Sequence, residues 1–300
     1  MTTRPAEETD VGASEPLKGA GPLEGKPAPA GDEGGKPMSF WEHLEELRRR
    51  LVYSVAAFFI ACCVAWELRE PMLAELTKPF INAWHSQHIA GSPTLHFPAP
   101  GAAFVAYFKL AMIGGGALAA PFIFYQLWAF VAPGLYAKEK RYALPFVLLS
   151  TVLFCGGGFF GWRAAFPISF NYFLSLSGSV GAQGLSITPT VMLGEYVDFC
   201  SQMLLGFGLV FEMPLLFLFL SIIGVVNYLH LIHYGRYFIL VAFIVAAVAT
   251  PPDVPDQLAM AVPMCLLYAF SIGLTYLFGK KPSDAQRAAY KSAKQKDAEG

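Results

Sequence analysis

Apolar residues gather along this chain into six runs separated by short polar segments: Leu51–Trp66, Phe104–Phe130, Ala143–Phe170, Val197–Ile223, Tyr237–Ala249 and Leu258–Phe278. Most are near the length of about 20 residues that crosses roughly 30 Å of hydrocarbon as an α-helix. The fifth is shorter. Its apolar stretch of about 13 residues reaches only about 20 Å at 1.5 Å per residue, so it must thin the bilayer, borrow polar flanks or be shielded by other helices. The pattern predicts an all-α integral membrane protein with six transmembrane helices. Composition agrees: 55% of the residues are hydrophobic, 15% aromatic and only 14% charged.

The polar segments divide the chain further. Residues 1–37 are rich in Pro, Gly, Ala and Glu with almost no large apolar side chains, the composition of a disordered tail. They lack the basic start and continuous apolar core of a signal peptide. Residues 38–281 carry the spans, and 282–300 form a polar, basic tail suited to lie near anionic headgroups. Just before the first span, Ser39-Phe40-Trp41-Glu42 reads as a capping box. Phe40, Leu44, Leu47 and Leu51 then recur at helical spacing, so an interfacial amphipathic helix leads into the span. Its polar face carries Glu42, Glu45, Glu46 and Arg49, and one reading of that face is a solvated surface laced with pairs such as Glu46 with Arg50.

Basic residues set the orientation. Arg48, Arg49 and Arg50, then Lys138, Lys140 and Arg141, then Arg236, then Lys280 and Lys281 all fall on one side of the predicted topology, while Thr250–Gln257 has no Lys or Arg. Both termini are therefore expected in the cytoplasm. Pro121, Pro145, Pro214 and Pro263, with the glycine clusters 114–116 and 156–158, predict bent helices in close contact. Together with the short fifth span they favour a concave, one-sided bundle over a closed channel. Cys62, Cys63, Cys155, Cys200 and Cys265 all sit in spans and read as small hydrophobes, with no metal-binding spacing.

Glu212 stands in the fourth span, in Phe211-Glu212-Met213-Pro214, with no Lys or Arg between Phe199 and Ile223. A carboxyl at that depth usually faces protein, water or a partner helix. A proton-coupled secondary transporter could use it, with Lys109 as counter-charge, although no internal repeat supports such a fold. An intramembrane enzyme is disfavoured, since no Gly-x-Ser-x-Gly, no His-Glu-x-x-His and no paired membrane aspartates occur. No phosphate-cradling loop is present either.

Five ordered motifs narrow the choice. Phe40-Trp41-Glu42-His43-Leu44-Glu45-Glu46-Leu47-Arg48-Arg49-Arg50-Leu51 resembles the amino-terminal signature of the TatC family, the receptor subunits of the twin-arginine protein translocase. Tyr125-Gln126-Leu127-Trp128 running on to Gly134-Leu135-Tyr136, then Lys138-Glu139-Lys140-Arg141, Phe207-Gly208 to Met213-Pro214, and Thr250-Pro251-Pro252-Asp253 continue the likeness. It covers roughly residues 38 to 279.

The resemblance implies a non-enzymatic, multi-pass protein of the bacterial cytoplasmic membrane, without cofactor, metal or nucleic-acid partner. Such a protein binds Arg-Arg signal peptides of folded cargo proteins at its cytoplasmic face. It works with single-span TatA and TatB type subunits in a multimeric complex, using the proton motive force. Glu46 and Glu139 match the family's acidic receptor positions, and Arg48 its functional arginine. A carboxylate suits this role because it accepts two parallel hydrogen bonds from a guanidinium fork, which an ammonium cannot reproduce. The site must be partly desolvated, here by Phe40, Leu44 and the aromatic segment Trp128–Tyr136, because fully exposed pairs contribute only about 0–1 kcal/mol. Glu212 matches the intramembrane glutamate that contacts a partner helix. On the outer side Pro79, Phe104, Asp253 and Gln257 match polar or structural family positions, and Asp253 is also placed to cap the sixth span. Phe80, Trp84 and Phe97 suggest an ordered hydrophobic cap in the first outer loop. Where some family members carry a second acid in span six, this chain has Tyr268, and any role resting on that acid is not carried over.

Overall fold

The computed structural model describes residues 40–131, 143–180, 185–251, 253–282, 284, 286–288, 290 and 292. Glu139 and the 1–37 tail lie outside the described residues, as do Pro252 and most of the segment from 282 onward. In chain order the elements are α1 (Phe40–Glu67), α2 (Arg69–Ser86), β1 (Leu95–His96), α3 (Pro100–Val131), α4 (Ala143–Phe160), a π-helical turn (Gly161–Ala165) and α5 (Phe166–Ser175). The strands β2 (Gly178–Val180), β3 (Leu185–Ile187) and β4 (Val191–Met192) follow, then α6 (Leu193–Phe211), α7 (Met213–Ile222), α8 (Tyr228–Ala249) and α9 (Val254–Phe278).

Among the described residues six helical rods are long and apolar enough to cross a membrane: α1, α3, α4 with α5, α6 with α7, α8, and α9. Six crossings place both ends of the bundle-forming chain at one end, called terminal here; the opposite end is distal. The fifth rod differs from its sequence reading. Its helix begins at Tyr228, nine residues before Tyr237, because Asn227 caps it by accepting a hydrogen bond from the His230 amide at 3.0 Å. The rod thus takes His230, His233 and Arg236 as its polar flank and spans 22 residues, about 33 Å.

Two other rods are interrupted where the sequence dictates. Pro214 has no N–H for the Val210 carbonyl, and the fourth rod breaks at Glu212, which ends α6 and starts α7. The third rod passes through a π-turn at Gly161–Ala165 before α5. Large apolar side chains such as Phe59, Ile60, Leu148, Val152 and Leu266 are exposed around the bundle, the surface expected against lipid. Of the cysteines only Cys200 is buried; Cys63 and Cys155 lie on that apolar surface.

At the distal end α2 packs on α5 and closes an aromatic core. Phe80 meets Trp84, Phe170 and Tyr196 at ring distances of 5.9, 5.7 and 5.7 Å, and the Tyr196 hydroxyl donates to the Leu76 carbonyl at 2.8 Å. The expected cap is therefore real for Phe80 and Trp84, whereas Phe97 is exposed. Strands β1 and β4 pair in parallel, Leu95 with Val191, tying the α2–α3 connection to the start of α6.

Close helix contacts occur at the predicted glycines. α1 packs chiefly on α3, and a Cβ on Gly115 would lie 2.8 Å from the Cys62 backbone. On Gly157 it would meet the Phe207 backbone of α6. Gly116 has its nearest such neighbour, Phe58, at an ordinary 3.8 Å. Gly115→Ala is therefore expected to destabilise the protein by about 1–3 kcal/mol through overpacking. Gly116→Ala should be neutral or stabilising by up to about 1 kcal/mol. Thermal unfolding of both variants in lipid nanodiscs checks the contrast, and equal effects would contradict it.

Candidate functional site

At the terminal end, the stripe Leu44, Leu47 and Leu51 is exposed, while Glu46 is 7% exposed and turned against α3. The solvated reading of the polar face holds for Glu42, Glu45 and Arg49, which are exposed, and fails at Glu46. Glu46 Oε1 accepts from Arg50 Nε at 2.9 Å and Nη2 at 2.5 Å, and Arg50 Nη1 donates to Gln126 Oε1 of α3 at 3.3 Å. The anticipated Glu46–Arg50 pair thus exists, but as a largely desolvated one. Beside it His43 stacks on Phe130 at 4.3 Å. The second carboxyl oxygen, Glu46 Oε2, is buried without a donor. Desolvation of Glu46 comes from α3 and not from Leu44. Arg48 is exposed on the same helix and shares a surface recess with Glu42, Glu45, Glu46 and Arg49.

Glu212 sits deeper, at the α6–α7 break. Its carboxyl faces α4 near Ser150 and the Phe154 backbone, and Oε1 is buried with no hydrogen-bond partner. Ser150 is itself buried, and its Oγ accepts from Trp128 Nε1 of α3 at 3.0 Å, which leaves the hydroxyl hydrogen free to point toward Glu212. Trp128 is fixed in turn by Phe146 and Phe219 at 4.7 and 4.9 Å. Lys109 is not the counter-charge of Glu212. It donates to Asp198 of α6 at 2.6 Å, a half-exposed ion pair nearer the distal end, so a feature of the transporter reading is lost.

The distal residues have structural partners. Pro79, buried inside α2, has no N–H for the Glu75 carbonyl, and Trp162 Nε1 donates to that carbonyl at 3.2 Å instead. Phe104 is exposed and meets Trp66 edge-on at 5.4 Å, joining α3 to the end of α1. Asp253 caps α9, its Oδ1 accepting from the Asp256 amide at 2.9 Å. Gln257 donates to the Phe243 carbonyl of α8 at 3.1 Å. Tyr268 stacks on Phe238 at 3.9 Å and donates to the Leu231 carbonyl at 2.6 Å, so it binds α9 to α8.

The predicted residues thus fall into three places: Glu46 and Arg48 at the terminal end, Glu212 within the bundle, and Pro79, Phe104, Asp253 and Gln257 at the distal end. Sequence reasoning missed Gln126, Ser150, Asp198 and Asp256. For Asp198 the signal was available, since it is an acid in an apolar run like Glu212, whereas Asp256 stands in the polar segment before the sixth span. Gln126 and Ser150 carry no such mark, because only the packing of α3 on α1 and α4 gives them partners.

Comparison with known proteins gives one consistent result. The family model for Sec-independent protein translocase protein (TatC) matches residues 42–263. A TatC protein of Desulforapulum autotrophicum is 41% identical over 259 residues, covering 86% of this chain and 92% of the relative. One of Koribacter versatilis is 37% identical over 255 residues, covering 85% and 91%. A crystal structure of the twin-arginine translocase receptor TatC superposes with a TM-score of 0.68 at 33% identity, covering 79% of this chain and 99% of that one.

The Glu46–Arg50 geometry yields a stability contrast. Arg50→Gln leaves a buried carboxylate without its main donor and is expected to lower the unfolding free energy by about 1–3 kcal/mol. Arg49→Gln, on the exposed face, should change it by no more than about 0.5 kcal/mol. Thermal unfolding of the two variants side by side measures the difference.

Proposed function

Because the chain belongs to the TatC family, and so is a subunit of the Sec-independent twin-arginine translocase, we propose that its terminal end is cytoplasmic and is the receptor surface for Arg-Arg signal peptides. The observation that carries this reading is Glu46: a desolvated carboxylate with one oxygen held by a guanidinium and the other without a donor. It is a site already shaped for guanidinium. An incoming arginine can take the second oxygen, or displace Arg50 and exchange one charge-assisted pair for another, so the carboxylate is never left bare. Glu139, on the segment between α3 and α4, supplies a second carboxylate, and exposed Arg48 contributes to the same surface.

The protein works with TatA and TatB type single-span subunits in a multimeric assembly in the bacterial inner membrane and exports folded cargo using the proton motive force. Glu212 contacts a partner helix, a role supported by its unsatisfied oxygen at a helix break. A polar group on that helix would form a bond typically worth about 0.6–2 kcal/mol in membranes. The route for cargo is formed with other subunits, because the 560 Å³ groove between α2, α3, α4 and α6 is lined by Met72, Leu76, Leu110, Ile113, Phe154 and Leu204 and offers water little to bind.

Binding of a twin-arginine signal peptide and its Lys-Lys control, measured in lipid nanodiscs, tests the receptor site. The Arg-Arg peptide should bind selectively, and Glu46→Ala or Glu139→Ala should weaken it tenfold or more, about 1.4 kcal/mol. Equal binding of the two peptides, or affinities untouched by both substitutions, would refute the assignment.

A further inference from the structure

Asp256, in the first turn of α9, is 0% exposed, yet neither oxygen of its carboxyl has a hydrogen-bond donor. Asp253, three residues earlier, spends Oδ1 on the helix cap, while its Oδ2 is buried and also lacks a donor. The cap bond folds the Asp253 side chain back to the Asp256 amide, which brings its carboxyl within electrostatic reach of the Asp256 carboxyl. Three acceptor oxygens therefore converge at the distal end of the bundle.

The hydroxyls nearby are already committed. Ser169 of α5, which lies against the Asp256 carboxyl, donates to the Ala165 carbonyl at 3.0 Å, and Thr250 donates to the Ala246 carbonyl at 2.9 Å. Ser169 Oγ can still accept a hydrogen bond but has no second hydrogen to give. Among the described residues, Asp253 is the charged group that acts on Asp256. On the neighbouring elements, α8 has no ionisable side chain between Tyr237 and Thr250, and Arg163 of the π-turn is exposed. Among the described residues, no cation is at hand to compensate two carboxylates.

What the arrangement lacks is a hydrogen on oxygen. We propose that Asp253 and Asp256 form a proton-binding site at the distal end, in which one proton is shared between the two carboxyls. A proton taken from the distal aqueous phase adds to an Asp256 oxygen, and the resulting O–H donates to Asp253 Oδ2; release reverses the step, with no other bond made or broken. Half-buried Asp253 gives the site its path to water. Two carboxyls that cannot both be charged at close range commonly share a proton in this way. A hard metal ion fits poorly: calcium asks for six to eight oxygens and magnesium keeps several waters, and a fully buried Asp256 leaves them no room.

Infrared difference spectroscopy on the full chain in lipid nanodiscs tests the site at neutral pH. The expected result is a protonated-carboxyl C=O stretch, shifted in heavy water, that is absent from Asp256→Asn and displaced in Asp253→Asn, which keeps a capping side chain. Retained helical circular dichroism shows that the variants fold, and titration of the wild-type band gives a reading that needs no variant. Four outcomes overturn the proposal: no such band in the wild type at neutral pH, a band that survives Asp256→Asn and disappears in Glu212→Gln, a band unmoved by Asp253→Asn, or saturable loss of the band on adding calcium.

Discussion

Placing carboxyl groups among apolar helices is the constraint from which most of this structure can be understood. A carboxylate withdrawn from water must find a cation, donors or a proton, since an uncompensated buried charge is among the costliest features a fold can carry. Four acids show four different answers. Glu46 has the guanidinium of Arg50, Asp198 has the ammonium of Lys109, Glu212 faces the hydroxyl of Ser150, and Asp253 has the amide at the start of α9. The answers also differ in completeness. Glu46 and Glu212 each keep one buried oxygen without a donor, and both are positions at which the proposed function brings in another molecule. An acid satisfied on one side only is held in place yet still able to bind.

The terminal segment of α3 supports both of these acids. Gln126 and Trp128 are two residues apart, so on a helix they project about 200° from each other. Gln126 reaches α1 and accepts from Arg50, while Trp128 reaches α4 and donates to Ser150. One turn of helix therefore supports the Glu46 carboxylate on one side and the Glu212 carboxyl on the other. Its aromatic neighbours Phe130, Phe146 and Phe219 make that turn a rigid part of the packing. This explains physically why the run Tyr125-Gln126-Leu127-Trp128 is more than apolar filler.

Much of the architecture was readable from the sequence because hydrocarbon permits so few backbone arrangements: an apolar run of sufficient length can hardly be anything but a helix. Six rods, the break near Pro214 and the close approaches at Gly115 and Gly157 all follow from local rules. The fifth rod was misjudged in length because its first two turns mix Leu231 and Ile232 with His230 and His233, and only the Asn227 cap marks where it starts. The burial of one acid of α1 was missed for a related reason. Glu42, Glu45 and Arg49 of its polar face stay exposed as periodicity predicts, and Glu46 beside them is the one turned against α3. The role of Glu46 as a desolvated acid was legible only through resemblance, since its burial depends on α3, far away in sequence. The partners of Glu212 and Lys109 likewise depend on which helices meet, which periodicity does not record.

The distal end shows how a proline can specify a contact between helices. Pro79 removes the amide that would have bonded the Glu75 carbonyl, which leaves that carbonyl open to another donor. Trp162 provides it from the π-turn. The π-turn is what brings Trp162 to that point, because its wider winding shifts the side chains that follow relative to those of α4. The backbone defect in α2 and the backbone irregularity between α4 and α5 therefore meet in one hydrogen bond. That pairing, with Tyr196 donating to the neighbouring Leu76 carbonyl, holds a short interfacial helix to the bundle without a disulfide and gives α9 a fixed surface on which Asp256 is buried.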